Sequence, residues 1–339
     1  MANSTKKNII VPIFIPFAGC PHKCIFCEQK KISGAPDQIK ISEVLDSAIS
    51  SPYFYDTEDR EIAFYGGTFT NLPLHTIEEM LLSVSPYLES GKFKSIRIST
   101  RPDAINDDIC LLLRDNGVKT VEIGVQSMND DVLVMAGRGH KAIDTVRSME
   151  ILHKYGFISG VQLMPGLPGD NFTRFMDTIA KVVVLKPDLA RLYPAVVIKG
   201  TGLSEKFYKN EYKPLELDEA VIWCTEAATE LEKSGINIIR IGLMGTQSLS
   251  KGNNVIAGPY HPAFGHMVKS LQYYRRIEKY LKKTLCKKIY VLVNKNELAL
   301  FCGYKNDGIM RVSNVLQTEI VGVKGDVNIK PGTISLIEV

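Results

Sequence analysis

Long apolar runs, internal repeats and low-complexity segments are all missing from this sequence of 339 residues. A transmembrane helix needs about 20 mostly apolar residues, so we expect no membrane-spanning segment. The N-terminus also lacks a convincing signal peptide. These absences favour a cytoplasmic protein whose cysteines stay reduced. With 45% hydrophobic residues, the chain can bury the core of one large domain or two modest ones.

Acidic residues are scarce only towards the C-terminus. The formal net charge is +4, but residues 269–339 carry 13 Lys and Arg against 6 Asp and Glu. Eight of these basic residues fall between Lys269 and Lys288. Such a cluster is typical of a nucleic-acid contact surface. It is also typical of a solvated helix face followed by a lysine-rich linker, and the sequence leaves both interpretations open.

Cysteine is present in an odd number, seven. Four of these residues stand singly and look like small buried hydrophobic residues: Cys110, Cys224, Cys286 and Cys302. The other three, Cys20, Cys24 and Cys27, lie within eight residues directly after an apolar stretch. A 4Fe-4S cube normally takes four cysteines, one for each iron. Three thiolates therefore leave one iron open, and an open iron on a low-potential cluster can chelate a small molecule and pass it one electron.

Three alternatives compete with the cluster. Zinc usually takes four N or S ligands, and His22 is available as the fourth. A lipidation box is mimicked by residues 17–20, although Pro12 and Pro16 interrupt the apolar stretch before it. Unmetallated core or disulfide cysteines are the third alternative, but tight spacings in a non-secreted chain usually indicate metal or redox chemistry.

Strand-like apolar runs alternate with helical periodicity as far as about residue 241. We predict strands at residues 9–15, 61–65, 95–99, 118–125, 157–164, 189–193 and 236–241. Apolar residues at the 3.6-residue spacing of helices lie between these runs. Regular alternation of this kind predicts an α/β protein with a parallel sheet and outer helices, as an open doubly wound sheet or as a full or partial barrel.

The pattern changes after residue 250, so we divide the chain into a core at residues 1–250 and a C-terminal region at residues 251–339. Residues 251–265 are rich in Gly, Pro and Asn, and predict a long loop that enters a helix near residues 266–283. Short strand-like pieces then follow at residues 289–293, 298–302 and 333–337, with turn signals at residues 306–308 and 324–326. We predict a small β-rich appendage.

Unusual residues follow several of the predicted strands. In a parallel α/β sheet, ligands bind at the carboxyl ends of the strands. The second strand runs into Gly66-Gly67-Thr68, where paired glycines let the backbone approach a ligand closely. The fourth strand reaches Gln126, and Arg138-Gly139-His140 follows twelve residues later. The fifth strand ends in the rigid stretch of residues 164–169.

Together these motifs resemble the radical S-adenosylmethionine (SAM) core of the elongator catalytic subunit, which modifies wobble uridine in tRNA. The oxygen-independent coproporphyrinogen III oxidases share several of them. The resemblance covers about residues 9–241 and rests on Cys-x3-Cys-x-Phe-Cys, Gly-Gly-Thr-Phe-Thr, Arg-Pro-Asp at 101–103, Gly-Val-Gln-Ser, Arg-Gly-His, Met-Pro-Gly-Leu-Pro-Gly, and Tyr-Pro at 193–194 through Gly-Thr-Gly-Leu at 200–203. It implies a partial (β/α)6 barrel.

The resemblance also implies cofactors and roles. The three thiolates of the motif hold a 4Fe-4S cluster, and SAM occupies the open iron. One electron from a reductase of the flavodoxin or ferredoxin type then cleaves SAM to methionine and a 5′-deoxyadenosyl radical, which abstracts hydrogen from a substrate. The residues implied to contact SAM are Phe26 beside the adenine, Gly66, Gly67 and Thr68 at the methionine amino end, and Gln126 and Arg138 at the ribose or carboxylate.

Two departures leave the substrate open. The elongator subunit spaces its first two cysteines more widely and continues into an acetyltransferase domain, which we do not expect here. The coproporphyrinogen oxidases have Glu at the position of Ser99 and Asp at that of Gln162, and both residues contact SAM in that family. Candidates for the substrate side are Arg240 at the end of the last core strand, and Tyr260, His261 and His266 on the following loop.

Three functions are consistent with these observations. The first is a radical SAM enzyme that modifies a tRNA base, which the elongator-like core and the basic segment 269–288 favour. The second is a small-molecule radical SAM oxidoreductase similar to the coproporphyrinogen oxidases. The third is a non-catalytic iron-sulfur accessory protein that has kept the cysteine loop.

Overall fold

The computed structural model describes residues 8–33, 40–245, 249, 254–282 and 287–339. Cys286, Lys283 and part of the predicted loop at residues 251–265 lie outside these ranges. The strands are β1 Ile9–Phe14, β2 Arg60–Tyr65, β3 Ser95–Thr100, β4 Val118–Gln126, β5 Ile158–Leu163, β6 Leu189–Leu192, β7 Val197–Ile198, β8 Asn237–Ile241, β9 Val255–Ala257, β10 Lys288–Asn294, β11 Glu319–Asp326 and β12 Ile334–Glu338.

Helices connect most of these strands. They are α1 Gln29–Ser33, α2 Ile41–Ile49, α3 Leu74–Glu89, α4 Asp107–Asp115, α5 Asp130–Met135, α6 Ala142–Lys154, α7 Phe172–Leu185, α8 Gly202–Tyr208, α9 Leu217–Lys233, α10 Phe264–Leu281, α11 Leu298–Cys302 and α12 Asp307–Val315. Several begin at a side-chain cap: Asn106, Asn129, Asn171 and Thr201 each accept a hydrogen bond from a backbone N–H of the first turn. Short polar residues after the strands therefore start the helices that return to the sheet.

The main sheet has seven strands in the order β1-β2-β3-β4-β5-β6-β8, and every neighbouring pair is parallel. This curled, open sheet with helices between its strands confirms the predicted partial barrel and adds one strand to the six that the resemblance implies. All seven predicted core strands form. Because the strands are parallel, their carboxyl ends meet at one edge of the sheet.

Burial follows from this arrangement. Strands of a parallel sheet are covered on both faces and read as continuous apolar runs. Ile62, Ala63 and Phe64 in β2 are consecutive and fully buried. One hydrophobic cluster continues from these strands through α9 and α10 to β10. The C-terminal region thus packs on the core through α10, the helix predicted near residues 266–283.

The C-terminal sheet has the order β11-β10-β12, with β10 parallel to β11 and antiparallel to β12. The predicted strand at residues 298–302 is wrong, since these residues form α11. Parallel strands need a crossover connection, and α11 and α12 supply it between β10 and β11. A short apolar run does not distinguish strand from helix. The sequence also missed β11, β7 and β9. Strand β9 lies inside the predicted loop and pairs with β7.

Among the described residues, no helix has both the length and the apolar character needed to cross a membrane.

The burial of the central strands is tested by two isoleucines in neighbouring strands. Ile123 in β4 is 0% exposed and Ile158 in β5 is 43% exposed. Ile123→Ala is expected to lower the free energy of unfolding by about 2–5 kcal/mol, because it leaves a cavity in the core. The matched change Ile158→Ala is expected to cost less than about 0.5 kcal/mol. Urea unfolding followed by circular dichroism measures both, and equal losses would contradict the assigned burial.

Candidate functional site

The loop after β1 carries the three clustered cysteines and lies against the loop after β2. The backbone N–H of Thr68 donates to Ala18 O at 2.8 Å, and the N–H of Phe17 donates to Gly66 O at 3.4 Å. A Cβ at Gly67 would clash with Ala18 O, and one at Gly19 would clash with Thr68 O. Glycine is therefore required on both sides of this contact.

This packing places the predicted SAM contacts Gly66, Gly67 and Thr68 next to the cysteines. Thr68 is almost fully buried, and its Oγ1 lies 3.4 Å from Cys20 Sγ. Gly67 faces the backbone of the cysteine loop, with its Cβ position 2.8 Å from Ile15 O. In the structure, the Gly-Gly-Thr motif supports the cysteine loop. Its contact with SAM stays a prediction.

A second set of contacts holds the other end of the cysteine loop. Ile25 donates its N–H to Ala136 O at 3.2 Å and accepts from the Leu203 N–H at 2.7 Å. Arg138 Nη1 donates to Cys24 Sγ at 3.1 Å. His22 packs on Gly139, where a Cβ would collide with the imidazole ring. The Arg-Gly-His and Gly-Thr-Gly-Leu motifs thus act together on one loop, although they are far apart in sequence.

The surroundings of Cys27 favour its protonated thiol. Burial raises the pKa of the Cys27 thiol to about 12, and negative charge on Cys24 and Cys20 adds to this rise. The Arg138 guanidinium and a hydrogen bond with Gln29 act in the opposite direction. The free thiol of Cys27 therefore holds its proton at neutral pH. Iron binding has to displace that proton, as is general for thiolate ligands.

The arrangement does not favour zinc. Among the described residues, no three His, Cys, Asp or Glu side chains converge on one point as ligands of a single ion would. His22 is exposed, and its imidazole ring packs on Gly139. In a 4Fe-4S cube each thiolate binds a different iron, so the sulfurs need not converge. The three-cysteine loop fits this cluster.

Gln126 and Arg138 meet above Gly124. A Cβ at Gly124 would lie 3.0 Å from Gln126 Nε2 and 3.1 Å from Arg138 Nη2, and Arg138 Nη2 also donates to Gly124 O. Gln126 is 4% exposed and has a φ of 68°, a conformation that costs energy for a residue with a side chain. Its Oε1 and Arg138 Nε are buried without a partner. Such groups fit a polar ligand, as the predicted SAM contact requires.

An open cavity of about 280 Å³ adjoins the cysteine loop, and its lining residues are Phe17, Cys20, Pro21, His22 and Lys23. This volume is close to the lower limit of ligand pockets, roughly 300 Å³. Phe26 lies within the cysteine loop and is buried in an apolar cluster with Leu167 and Tyr212. Its contact with the adenine stays a prediction.

The predicted substrate-side residues gather around the carboxyl ends of β6 and β8. Tyr260 and His261 pack with Pro194 and Gly242 around a cavity of about 10 Å³, which holds no more than a water molecule. His261 Nδ1 accepts from the Ala263 N–H at 3.0 Å. These contacts make the loop a cover for this end of the sheet.

The two remaining candidates differ in their surroundings. Arg240 Nε donates to Gly242 O at 3.0 Å, which keeps the side chain at the carboxyl edge of β8. His266 lies in the first turn of α10, and its Nδ1 is buried without a partner. Their contact with substrate stays a prediction.

Sequence analysis missed an ionic network on the inner face of the sheet. Arg97 in β3 donates to Glu61 in β2 at 2.6 Å and to Glu122 in β4 at 2.8 Å. Arg191 in β6 donates to Glu122 Oε1 at 2.9 Å and also bonds Oε2. The Tyr65 hydroxyl donates to the same carboxylate at 2.9 Å. The sequence signal that could have revealed this network was the presence of isolated charged residues within apolar strands.

The network keeps its charges in the interior. Burial alone would raise the pKa of Glu122, but its hydrogen bonds and charge interactions with Arg191 and Arg97 outweigh this effect, so its pKa is lowered. Burial, and then the charge of Glu122, raise the pKa of Tyr65. Tyr65 therefore remains a hydroxyl donor to an ionised Glu122.

Two family models match the chain. The radical SAM superfamily matches residues 14–182, which include all three clustered cysteines, and the radical SAM C-terminal domain matches residues 187–274. The chain belongs to the radical SAM superfamily. Radical SAM proteins use a 4Fe-4S cluster and SAM, and this chain is a radical SAM enzyme. This membership sets aside the non-catalytic alternative, and ligation of the cluster by Cys20, Cys24 and Cys27 stays a prediction.

Individual relatives add detail. The tRNA uridine(34) acetyltransferase of Methanocaldococcus infernus is 27% identical over 256 residues, which cover 62% of this chain and 47% of that protein. The heme chaperone HemW of Lactococcus lactis is 24% identical and covers 71% of this chain and 63% of its own length. This radical SAM chain thus spans about half the length of the matched acetyltransferase. The solved structure of M. infernus Elp3 shares the fold, with TM-score 0.59, 22% identity and coverage of 82% and 63%.

The cluster assignment is tested by metal analysis. Anaerobically reconstituted protein is expected to contain about four irons and four sulfides per chain. The triple variant Cys20→Ala, Cys24→Ala, Cys27→Ala is expected to lose them and the visible cluster absorption. As a control, the double variant Cys110→Ala, Cys302→Ala is expected to keep both. Stoichiometric zinc without iron in the parent would contradict the assignment.

Arg138 is tested by exchange for lysine. Arg138→Lys is expected to weaken SAM binding by about 1–3 kcal/mol, because one ammonium group cannot replace a forked guanidinium. Equilibrium dialysis with labelled SAM measures the affinity, and iron content is determined in the same samples. Arg147→Lys on the exposed side of α6 is the control. Parent-like SAM affinity and iron content in Arg138→Lys would remove Arg138 from the site.

Proposed function

We propose that this enzyme reductively cleaves SAM and uses the resulting radical to modify a base of tRNA. The observation that carries the proposal is the shared support of one three-cysteine loop by Thr68, Arg138 and Leu203. These residues belong to motifs that resemble those of the elongator catalytic subunit. Relatives named tRNA uridine(34) acetyltransferases support a tRNA substrate, and with it a cytoplasmic location.

The cluster, when bound, supplies the electron that splits SAM into methionine and a 5′-deoxyadenosyl radical. The residues of the chain hold the cluster and orient SAM. Cys20, Cys24 and Cys27 provide three thiolates, while Gln126 and Arg138 offer a buried acceptor and donor to the polar groups of SAM. The loop around Tyr260 closes β6 and β8 against water, which protects a radical from side reactions.

Radical SAM enzymes need a one-electron donor. We propose a flavodoxin or ferredoxin as this partner, because these proteins deliver single electrons at low potential. The exposed side of the cysteine loop at Pro21, His22 and Lys23 lies beside the open cavity. This side offers a short path from a docked donor to the cluster.

The basic segment 269–288 gives limited support to tRNA binding. Lys282 pairs with Glu278 at 3.3 Å, Lys288 with Glu319 at 3.1 Å, and Arg275 with Glu278 at 2.9 Å. Lys269 pairs with Glu232 of α9. Phosphate groups would have to compete with these carboxylates. Binding of RNA by this segment stays a prediction, and Lys283 lies outside the described residues.

A small-molecule radical oxidoreductase is the second candidate. The match to a relative named heme chaperone HemW, which covers more of this chain than the acetyltransferase match does, supports a small molecule of the porphyrin class as the ligand. The oxidoreductase activity rests on the motifs shared with the coproporphyrinogen oxidases. Both candidates use the same cluster and SAM site. They differ in the molecule that occupies the inner face of the sheet.

The two candidates are separated by one anaerobic reaction. Reconstituted protein is incubated with SAM and dithionite, with and without total tRNA, followed by analysis of 5′-deoxyadenosine and of tRNA nucleosides. We expect more 5′-deoxyadenosine with tRNA and a new modified nucleoside. The triple cysteine variant is expected to form neither product. Equal 5′-deoxyadenosine with and without tRNA, and unchanged nucleosides, would favour the small-molecule function.

A further inference from the structure

Two arginines stand side by side on neighbouring strands at the open side of the sheet. β6 and β8 pair as Leu189 with Asn237 and Ala190 with Ile238, and then the register shifts by one residue. Arg191 therefore lies opposite Arg240 and not opposite Ile239. Because side chains alternate between faces, this irregularity decides that the two arginines share a face. Neighbouring strands are about 4.8 Å apart.

The shared face is the inner one, since Arg191 reaches the buried network from it. Its guanidinium donates to Glu122 at 2.9 Å, to the Tyr65 hydroxyl at 2.9 Å and to the Tyr193 hydroxyl at 3.0 Å. Glu122 Oε1 also accepts a hydrogen bond from Arg97 Nη1 at 2.8 Å. Glu122 thus accepts hydrogen bonds from two arginines, and Arg97 is also paired with Glu61.

Arg240 has no such balance. Its one hydrogen bond within the described part of the chain runs from Nε to Gly242 O at 3.0 Å, and no described carboxylate forms an ion pair with it. Neither terminal nitrogen of Arg240 has a partner among the described residues, so both can bind a ligand. Among the described strand residues on the inner face, Glu61 and Glu122 stand against Arg97, Arg191 and Arg240. One positive charge is unmatched, next to a second guanidinium that repels it.

A neutral polar group continues the row. Gln162 in β5 pairs with Arg191 from the other side. Its side-chain amide has no hydrogen-bond partner among the described residues. Gln162, Arg191 and Arg240 therefore line up across three adjacent strands near their carboxyl ends, where parallel sheets bind ligands.

We propose that Arg240, with Arg191 beside it, binds an oxyanion of the substrate on the inner face of β6 and β8. Guanidinium groups suit this role, because they form paired hydrogen bonds with phosphate or carboxylate oxygens. The site rests on the proposed function in that the substrate occupies this face. A tRNA nucleotide would bring a phosphate, and a small metabolite would bring a carboxylate.

Arg240 is the residue to change, because replacing Arg191 would strand Glu122 in the interior. Reconstituted holoprotein with SAM is titrated by calorimetry with uridine 5′-monophosphate, uridine and propionate. The variants are Arg240→Gln, Arg240→Lys, and Arg147→Gln as a control that removes one exposed charge from α6. Circular dichroism and iron content confirm that each variant is folded and loaded.

We expect an anionic probe to bind the parent and to lose about tenfold or more in affinity with Arg240→Gln, with part of the affinity kept in Arg240→Lys and all of it in Arg147→Gln. If Arg240→Gln weakens only the binding of uridine monophosphate, the bound group is a phosphate. If it weakens the binding of propionate, the bound group is a carboxylate. SAM affinity is expected to be unchanged in Arg240→Gln. A parallel loss of SAM affinity would assign Arg240 to the cofactor and overturn the proposal.

Equal binding of every probe to the parent and to Arg240→Gln would also overturn it. Failure of the oxyanion proposal is distinguishable from failure of the proposed function. If tRNA nucleosides remain unmodified in the reaction above while anion binding still depends on Arg240, the tRNA substrate is wrong and the oxyanion site stands.

Discussion

The cysteine loop and the loop after β2 touch through their backbones, with no room for a side-chain carbon on either side of the contact. Gly19 meets Thr68 O, and Gly67 meets Ala18 O. This contact fixes where Cys20 lies relative to the sheet, while Ala136, Leu203 and Arg138 hold the other end of the loop. A methyl group at either glycine would separate the loops. Cys20 would then lose its contact with Thr68.

The inner face of the sheet shows how the fold keeps charges where apolar residues normally pack. A buried ion pair is costly to desolvate unless its partners are complete. Glu122 is complete, with two arginines and Tyr65 as partners, and Gly160 leaves it space, since a Cβ there would lie 2.9 Å from Glu122 Cγ. The network gives the interior a fixed pattern of donors on which a polar substrate can lie.

Much of this fold was predictable, and the exceptions have physical causes. The seven core strands were predictable because each is a short, mainly apolar run, which charged residues such as Arg97 and Glu122 interrupt at only a few positions. The predicted strand at residues 298–302 was wrong, because a five-residue apolar run fits a strand or a helix equally. The parallel pairing of β10 with β11 needs a crossover connection, and α11 is part of it. The cysteines were found from local spacing alone. The contact of Arg138 with Cys24 joins residues 114 positions apart, and the pairing of Arg191 with Arg240 depends on a register shift that no local pattern records.

The small sheet of β7 and β9 has a consequence for the cysteine loop. It joins residues 197–198 to residues 255–257, and Lys199 donates its N–H to Asn254 O at 2.8 Å. A few residues later, Leu203 donates to Ile25 in the cysteine loop. The cover over β8 and the cradle of the cluster are thus links of one short chain of backbone hydrogen bonds. Residues 197–203 are therefore a common support of the cover and of the cysteine loop, and a substitution there would disturb both.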